Sequence, residues 1–453
     1  MPDKKEAELQ AVEERKDNRY TPHPSFRQAT KFWIKLGLIS FGGPAGQISI
    51  MLSELVDRRK WVSNERFLNA LNYCMLLPGP EAQQLAIYIG WLLHRLPGGI
   101  VAGAFFVIPS MFILFALSYI YAAYGAVPFV ASVFHGLKAA IMAVVLSAVI
   151  KLGKKALKNE IMVSIAVLSF IAIYFFKTPF PAIVLGAAFI GLLGSFVLPS
   201  KFNVHKGKEG KDFDEGYVRI CEDPVECHVN PSAHRSFLLV AVFLLLWLAP
   251  VALLYFFLSN RVFYTEALFF TKAAFLTFGG AYAVLAYIAQ AGVEQYAWLT
   301  GPQMIDGLGL AETTPGPLIM VVQFVGFMAG WNTSSGISPW IGGLAGSLVA
   351  TYFTFLPCFL FIFLGGPYIE KFHDNAKLSS ALSSITAAVV GVVLNLAVWF
   401  GLQVLIPSGD HFNWFAALIG LGAFAAIQWF KVGLIPVITA AGLLGLLWHM
   451  VIF

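Results

Sequence analysis

The chain has 453 residues, of which 58% are hydrophobic and only 12% charged, with a formal net charge of +5. Soluble domains carry about 25% charged residues, so the composition excludes a soluble protein and points to an integral membrane one. The small positive excess does not point to nucleic acid, because the basic residues cluster in loops, where they report membrane topology.

Residues 1–28 are polar and mixed in charge, which reads as a cytoplasmic tail and not as a cleavable signal peptide. Two interrupted apolar segments follow, about 29–56, broken at Gly42-Gly43-Pro44, and about 64–93, broken at Pro78-Gly79-Pro80. Uninterrupted spans are expected near 99–123, 129–150, 161–176 and 181–198. A polar linker, 199–235, and an unpaired transmembrane span, 236–258, lead to a second set. That set has interrupted segments near 264–292 and 303–330, then spans near 340–364, 379–401, 412–430 and 432–453. Stretches of about 20 apolar residues cross a hydrocarbon core of roughly 30 Å as helices. Alternating strand patterning is absent, which argues against a β-barrel. The expected fold is an all-α polytopic protein of an inner or plasma membrane.

The two sets are copies. Phe41-Gly42-Gly43, Trp61 and Pro78-Gly79-Pro80 recur as Phe278-Gly279-Gly280, Trp298 and Pro315-Gly316-Pro317, always 237 residues later. Lys35 and Lys272 share that offset, and 11 of 59 positions are identical over 32–90 against 269–327. Further on, Pro109 matches Pro357 and Ala139-Ala140 matches Ala387-Ala388 at an offset of 248, so 11 residues are inserted between. The repeats therefore occupy 29–198 and 259–453.

One extra span between two copies with an even number of elements inverts the second copy. Loop charges agree. Loop 57–66 carries Arg58, Arg59, Lys60 and Arg66, whereas 294–303 has no Lys or Arg; loop 151–158 has four lysines and its counterpart near 400–411 none. Lys371 and Lys377 reverse the bias at the matching uncharged turn near 121–130. With a cytoplasmic N-terminus these loops obey the positive-inside rule if the broken segments are re-entrant hairpins. Nine crossings plus four re-entrant elements are expected, with thirteen crossings as the alternative.

Glycine and proline interrupt the helical hydrogen-bond ladder, and open backbone at membrane depth is tolerated only where it is buried or lines a cavity. A helix starting at such a break presents free N–H groups and about half a positive charge, which is an anion site. The candidate binding set is therefore Ser40, Gly42, Gly43, Pro78, Gly79, Pro80, Thr277, Gly279, Gly280, Pro315, Gly316 and Pro317. Lys35 and Lys272 would balance anionic charge or snorkel to the interface. Gln83, Gln84 and Gln323 would donate to oxyanion oxygens or bridge helices. Glu81 and Glu312, beside the two Pro-Gly-Pro breaks, are proton-coupling candidates, because burial favours a neutral carboxyl.

Trp61 and Trp298 read as interfacial anchors. In the linker, Cys221, Cys227, His228, His205 and His234 lack zinc-finger spacing, so neither metal nor cofactor is expected. No P-loop, His-Glu-x-x-His or Gly-x-Ser-x-Gly motif occurs, so no enzymatic activity is expected. Gly342 and Gly346 suit close helix packing, either within one chain or across a homodimer.

The segments Leu38-Ile39-Ser40-Phe41-Gly42-Gly43-Pro44 and Leu76-Leu77-Pro78-Gly79-Pro80-Glu81-Ala82-Gln83-Gln84-Leu85-Ala86 resemble the chromate ion transporter family. So do Trp298-Leu299-Thr300-Gly301-Pro302-Gln303 and Thr313-Thr314-Pro315-Gly316-Pro317. The resemblance covers roughly 30–200 and 260–453, the layout of the long-chain members. It implies a cytoplasmic-membrane transporter that expels chromate, confers resistance and draws on the proton motive force. Some members would handle other oxyanions such as sulfate. The tail and the Cys/His linker lack a family motif, and Glu312 stands where an uncharged polar residue is expected. Sulfate or another tetrahedral oxyanion is the alternative substrate; a membrane enzyme or lipid-phosphate scramblase is a more distant one.

Overall fold

The computed structural model describes residues 21–41, 43–198, 202, 217–218, 233–258, 261–278, 280–333, 336–368, 376–407 and 411–452, and among these there are helices and turns but no strand. The expectations placed on Gly42, Gly279, Cys221, Cys227, His205, His228 and Lys371 lie outside the described residues.

The first half comprises α1 (Phe26–Ile39), α2 (Gly43–Leu52), α3 (Asn64–Leu76), α4 (Glu81–Tyr124), α5 (Pro128–Ala156), α6 (Glu160–Tyr174) and α7 (Phe180–Val197). After α8 (Ala233–Phe257) come α9 (Arg261–Leu276), α10 (Ala281–Gln290), α11 (Gly301–Thr313) and α12 (Val321–Thr333). The chain closes with α13 (Pro339–Gly365), α14 (Ala376–Leu405), α15 (Trp414–Gln428) and α16 (Leu434–Ile452). Six helices among the described residues are long and apolar enough to cross a membrane: α4, α5, α7, α8, α13 and α14. Their outer faces carry exposed phenylalanine and leucine, and α8 buries only Phe243, as expected of helices bathed in lipid.

The duplication is visible in local backbone detail. Ser63 caps α3 and Thr300, its counterpart, caps α11, each side chain accepting from the backbone N–H three residues on. Both α2 and α10 run into a π-turn, Ser53–Arg58 and Ala291–Gln295. Lys60 and Ala297 then take left-handed φ of 52° and 50°. These turns correct one expectation. The Trp61 N–H donates to the Leu55 carbonyl and that of Trp298 to Gly292, both at 2.8 Å, which folds the indoles inward. They are 6% and 3% exposed, covered by the Arg59 guanidinium and the Tyr296 ring, and are not interfacial anchors.

The spans expected near 161–176 and 412–430 are shorter than a full crossing, 15 residues each, or about 22 Å at 1.5 Å per residue. Asn159 and Asn413 fix their starts as N-caps, and left-handed Lys177 and Lys431 turn the chain shortly after they end.

Helix α4 holds a second difference. Helical geometry is lost at His94 (φ −137°, ψ 30°) and Arg95 (φ 56°, ψ −153°), and the chain doubles back. Gly90 then lies against the Gly98 carbonyl and Ala102; a continuous helix would hold residues 90 and 102 about 18 Å apart. In the second half α12 and α13 make the same hairpin around a longer turn. Gly326 packs on Gly346 and Ala350, and Gly330 on Gly342. The inserted residues thus lengthen this hairpin, arms and turn together, and Gly342 and Gly346 are used within the chain.

The halves are interleaved. Helix α5 packs on α15 and α16 of the other half, with Gly136 on the Ala441 carbonyl and Gly420 on Met142. Reciprocally, α14 packs on α6 and α7, through Gly391 on the Ala166 carbonyl and Gly191 on Ser380. Without a hydrophobic difference between lipid and helix, such close backbone approach is what holds membrane helices together.

Candidate anion site at the backbone breaks

Each half contributes two breaks, and two hydrogen bonds cross between them. The Gly79 N–H donates to the Thr277 carbonyl at 2.8 Å, and the Gly316 N–H donates to the Ser40 carbonyl at 2.7 Å. Residues 79 and 316 are repeat counterparts, as are 40 and 277, so one contact is made twice. Each Pro-Gly-Pro turn is therefore fastened to the opposite half's Phe-Gly-Gly break. Glycine is required where φ is +124° at Gly79, +99° at Gly316 and +97° at Gly280, outside the left-handed region open to other residues.

Helices α2, α4 and α10 and the 3-10 turn Leu318–Met320 all begin here, so four sets of unsatisfied N–H groups are gathered. Helix α10 also touches the 3-10 turn, joining the two clusters. A β-carbon on Gly43 would meet nothing within 4 Å, so there is open space beside the α2 N-terminus. On the other side a β-carbon on Gly280 would lie 3.8 Å from Glu81 Oε1. Glu312 Oε1 accepts from the Tyr282 hydroxyl at 2.7 Å, and Tyr282 is in the first turn of α10. Both expected carboxyls thus flank one helix start. Lys155 and Lys151, exposed at the end of α5, lie within electrostatic reach of Glu81 and Glu312 respectively.

Other expected side chains go elsewhere. Lys35 is on the outer face of α1, its side chain 54% exposed, 3.8 Å from Glu54. Lys272 is likewise exposed on α9. Neither is brought to the breaks, because the buried side of each helix is the one carrying Ser40 or Thr277. The Ser40 and Thr277 hydroxyls donate back to the Leu36 and Ala273 carbonyls, so it is their carbonyls that serve the breaks. The Gln84 amide donates to the Pro78 carbonyl, Gln83 to Gly103 and Gln323 to Met111, which makes them bridges between backbone segments.

Several buried polar residues had not been singled out. Gln47 donates to the Gly316 carbonyl. Ser110 and Cys358, one residue past the matched prolines Pro109 and Pro357, pack on Gly316 and Gly79. The Ser110 hydroxyl is fully buried and has no hydrogen-bond partner. The proline match was the available signal, since it put residues 110 and 358 at equivalent places. Lys138 and Asp306, charged residues inside apolar spans, were a second.

The arrangement can hold an anion through main-chain N–H groups, with carboxyls alongside that repel it when ionised. A chromate transporter family model matches residues 27–192 and 265–446. The chain is 29% identical over 445 residues to the chromate transport protein of Pseudomonas aeruginosa, covering 94% of this chain and 92% of that one. It is 27% identical over 426 residues to the chromate transport protein of Cupriavidus metallidurans, covering 94% of each. A probable chromate transport protein of Synechococcus elongatus is 27% identical over 386 residues, covering 84% of this chain and 87% of the relative. No solved structure matches.

Proposed function

Because the chain belongs to the chromate transporter family, we propose that it is a secondary transporter that exports chromate from the cytoplasm across the inner or plasma membrane. The pair of symmetry-related hydrogen bonds, Gly79 to Thr277 and Gly316 to Ser40, carries this reading. They gather four helix starts from two copies of one sequence, the arrangement in which transporters place anionic substrates at a repeat interface. In this reading the broken elements re-enter the membrane, the second half is inverted relative to the first, and the N-terminus is cytoplasmic; the opposite charge of loops 57–66 and 294–303 supports it.

Energetics favour export. A dianion leaving a negative interior gains about 4.6 kcal/mol per 100 mV, twice the value for one charge. That sustains a gradient of roughly three decades at 1.4 kcal/mol each. Inside-out vesicles test the reading: chromate uptake is expected to rise with imposed voltage. Uptake scarcely slowed by excess sulfate marks a chromate-selective site, and suppression marks a general tetrahedral-oxyanion site. Voltage-independent background uptake overturns the transport reading.

Lys151 and Lys155 have the position of an electrostatic entrance. Replacing both by alanine is expected to raise the apparent KM for chromate about three- to tenfold at low salt, with kcat little changed. High ionic strength should erase the difference, because screening at 1 M acts over about 3 Å. A KM equal to that of the unaltered protein at low salt removes these lysines from substrate capture.

A further inference from the structure

Away from the breaks, one charged group is buried in the protein interior with half of its bonding capacity unused. Asp306, on α11, is 3% exposed. Its Oδ2 accepts from the Tyr121 hydroxyl at 2.9 Å and lies 3.2 Å from Lys138 Nζ. Its Oδ1 is buried with no hydrogen-bond partner. An ionised carboxylate in a dry interior is stable only when its acceptor sites are filled, so a bare second oxygen is where a proton belongs. Lys138 has a side chain 27% exposed, which links the buried carboxyl to the accessible surface.

The three groups sit on elements from both halves: Tyr121 on the second arm of α4, Lys138 on α5 and Asp306 on α11. Helices α5 and α11 run parallel here, since Gly309 follows Asp306 onto Ile141 as Ile141 follows Lys138. Six residues further along α11, about 9 Å at 1.5 Å per residue, stands Glu312 at the break. The ion pair therefore ties the element carrying the second Pro-Gly-Pro turn to the first half.

The surroundings contain few competing groups. Helix α4 brings Tyr121, and α5 brings Lys138 with His135 one turn before it; α12 has no titratable residue. Those of α14 and α16, Lys377 and His449, stand close to helix ends.

We propose that Asp306 is a proton-binding site whose occupancy makes or breaks the tie between α5 and α11, and so sets the pH dependence of anion movement at the breaks. This rests on the transporter reading. A proton taken from water onto Oδ1 neutralises the carboxylate, leaves Lys138 without its counter-charge and releases α11. Asp306 is a positioning residue in this scheme; the anion site itself stays with the main-chain groups.

Two measurements test it. In vesicles at clamped voltage, chromate flux is expected to rise as pH falls, by up to about tenfold per pH unit on a limb governed by one proton. Asp306→Asn and Lys138→Met should each flatten that limb, and Asp306→Glu should keep it with a displaced midpoint. A wild-type slope in Asp306→Asn overturns the proposal. Independently of transport, the unaltered protein is treated with dicyclohexylcarbodiimide, which attacks protonated carboxyls in apolar surroundings, and adducts are located by mass spectrometry. Labelling of Asp306 that falls several-fold as pH rises supports the proton site even if chromate is not the substrate. Labelling that is absent, or equal at every pH, overturns it.

Discussion

Alanine at Gly316 is expected to reduce chromate flux by one to two orders of magnitude while the protein still reaches the membrane. Two effects act together. At φ +99° a β-carbon is outside even the small left-handed region open to ordinary residues, a strain of roughly 1–3 kcal/mol. The same β-carbon would fall on the Ser110 hydroxyl. Both push the Pro-Gly-Pro turn away from the Ser40 carbonyl and misalign the following N–H groups. At 1.36 kcal/mol per tenfold in rate, a misalignment of about 2 kcal/mol gives a loss near thirtyfold. Initial uptake into inside-out vesicles, normalised to the protein present, reads it. Adding Ser110→Gly should restore part of the flux, since it removes the collision but not the strain. Flux within twofold of the unaltered protein would mean that the geometry of this break is irrelevant to transport.

Valine at Gly326 should act on stability. Gly326 lies on the Gly346 carbonyl and on Ala350, so a branched side chain must separate α12 from α13. Overpacking of this kind costs typically 1–3 kcal/mol, occasionally more, and lost backbone contact adds to it because close approach is what binds helices in lipid. The expected result is a lower yield and an earlier loss of the monodisperse species on heating in detergent. Gly186→Val is the control, since a β-carbon there meets nothing within 4 Å. Equal thermal profiles for the two variants would show that the hairpin contact contributes nothing.

Much of the architecture could be read from residue order. Gly/Pro interruptions at a constant offset located the elements and their breaks, because a helix cannot run through them without losing hydrogen bonds. The insertion between residues 90 and 109 was also legible, and it falls in the hairpin that is longer in the second half. Side-chain roles were less accessible. Lys35 and Lys272 share the offset of the breaks, yet that spacing says nothing about which face of α1 or α9 looks inward. Ser40 and Thr277 stand out by their matching positions beside the breaks, but it is their carbonyls, not their side chains, that make the contacts. Lys138 and Asp306 stand 168 positions apart in the chain, and nothing local announces that they form an ion pair. Pairings across halves depend on tertiary packing, which periodicity along one helix does not encode.

The exchange of partners between α5–α7 and α14–α16 has a consequence for how the molecule is made. When the ribosome has finished the first half, α6 and α7 have no docking surface, since α14 is still to be synthesised. The early half must wait in the bilayer as a partly assembled bundle, protected by lipid rather than by its own core. A nascent chain cut short after residue 258 therefore presents two unfilled seams, and a second copy of a half, or the missing half supplied separately, is what could close them. Assembly of this protein is accordingly expected to finish late, once α14 to α16 have been made and both seams can close.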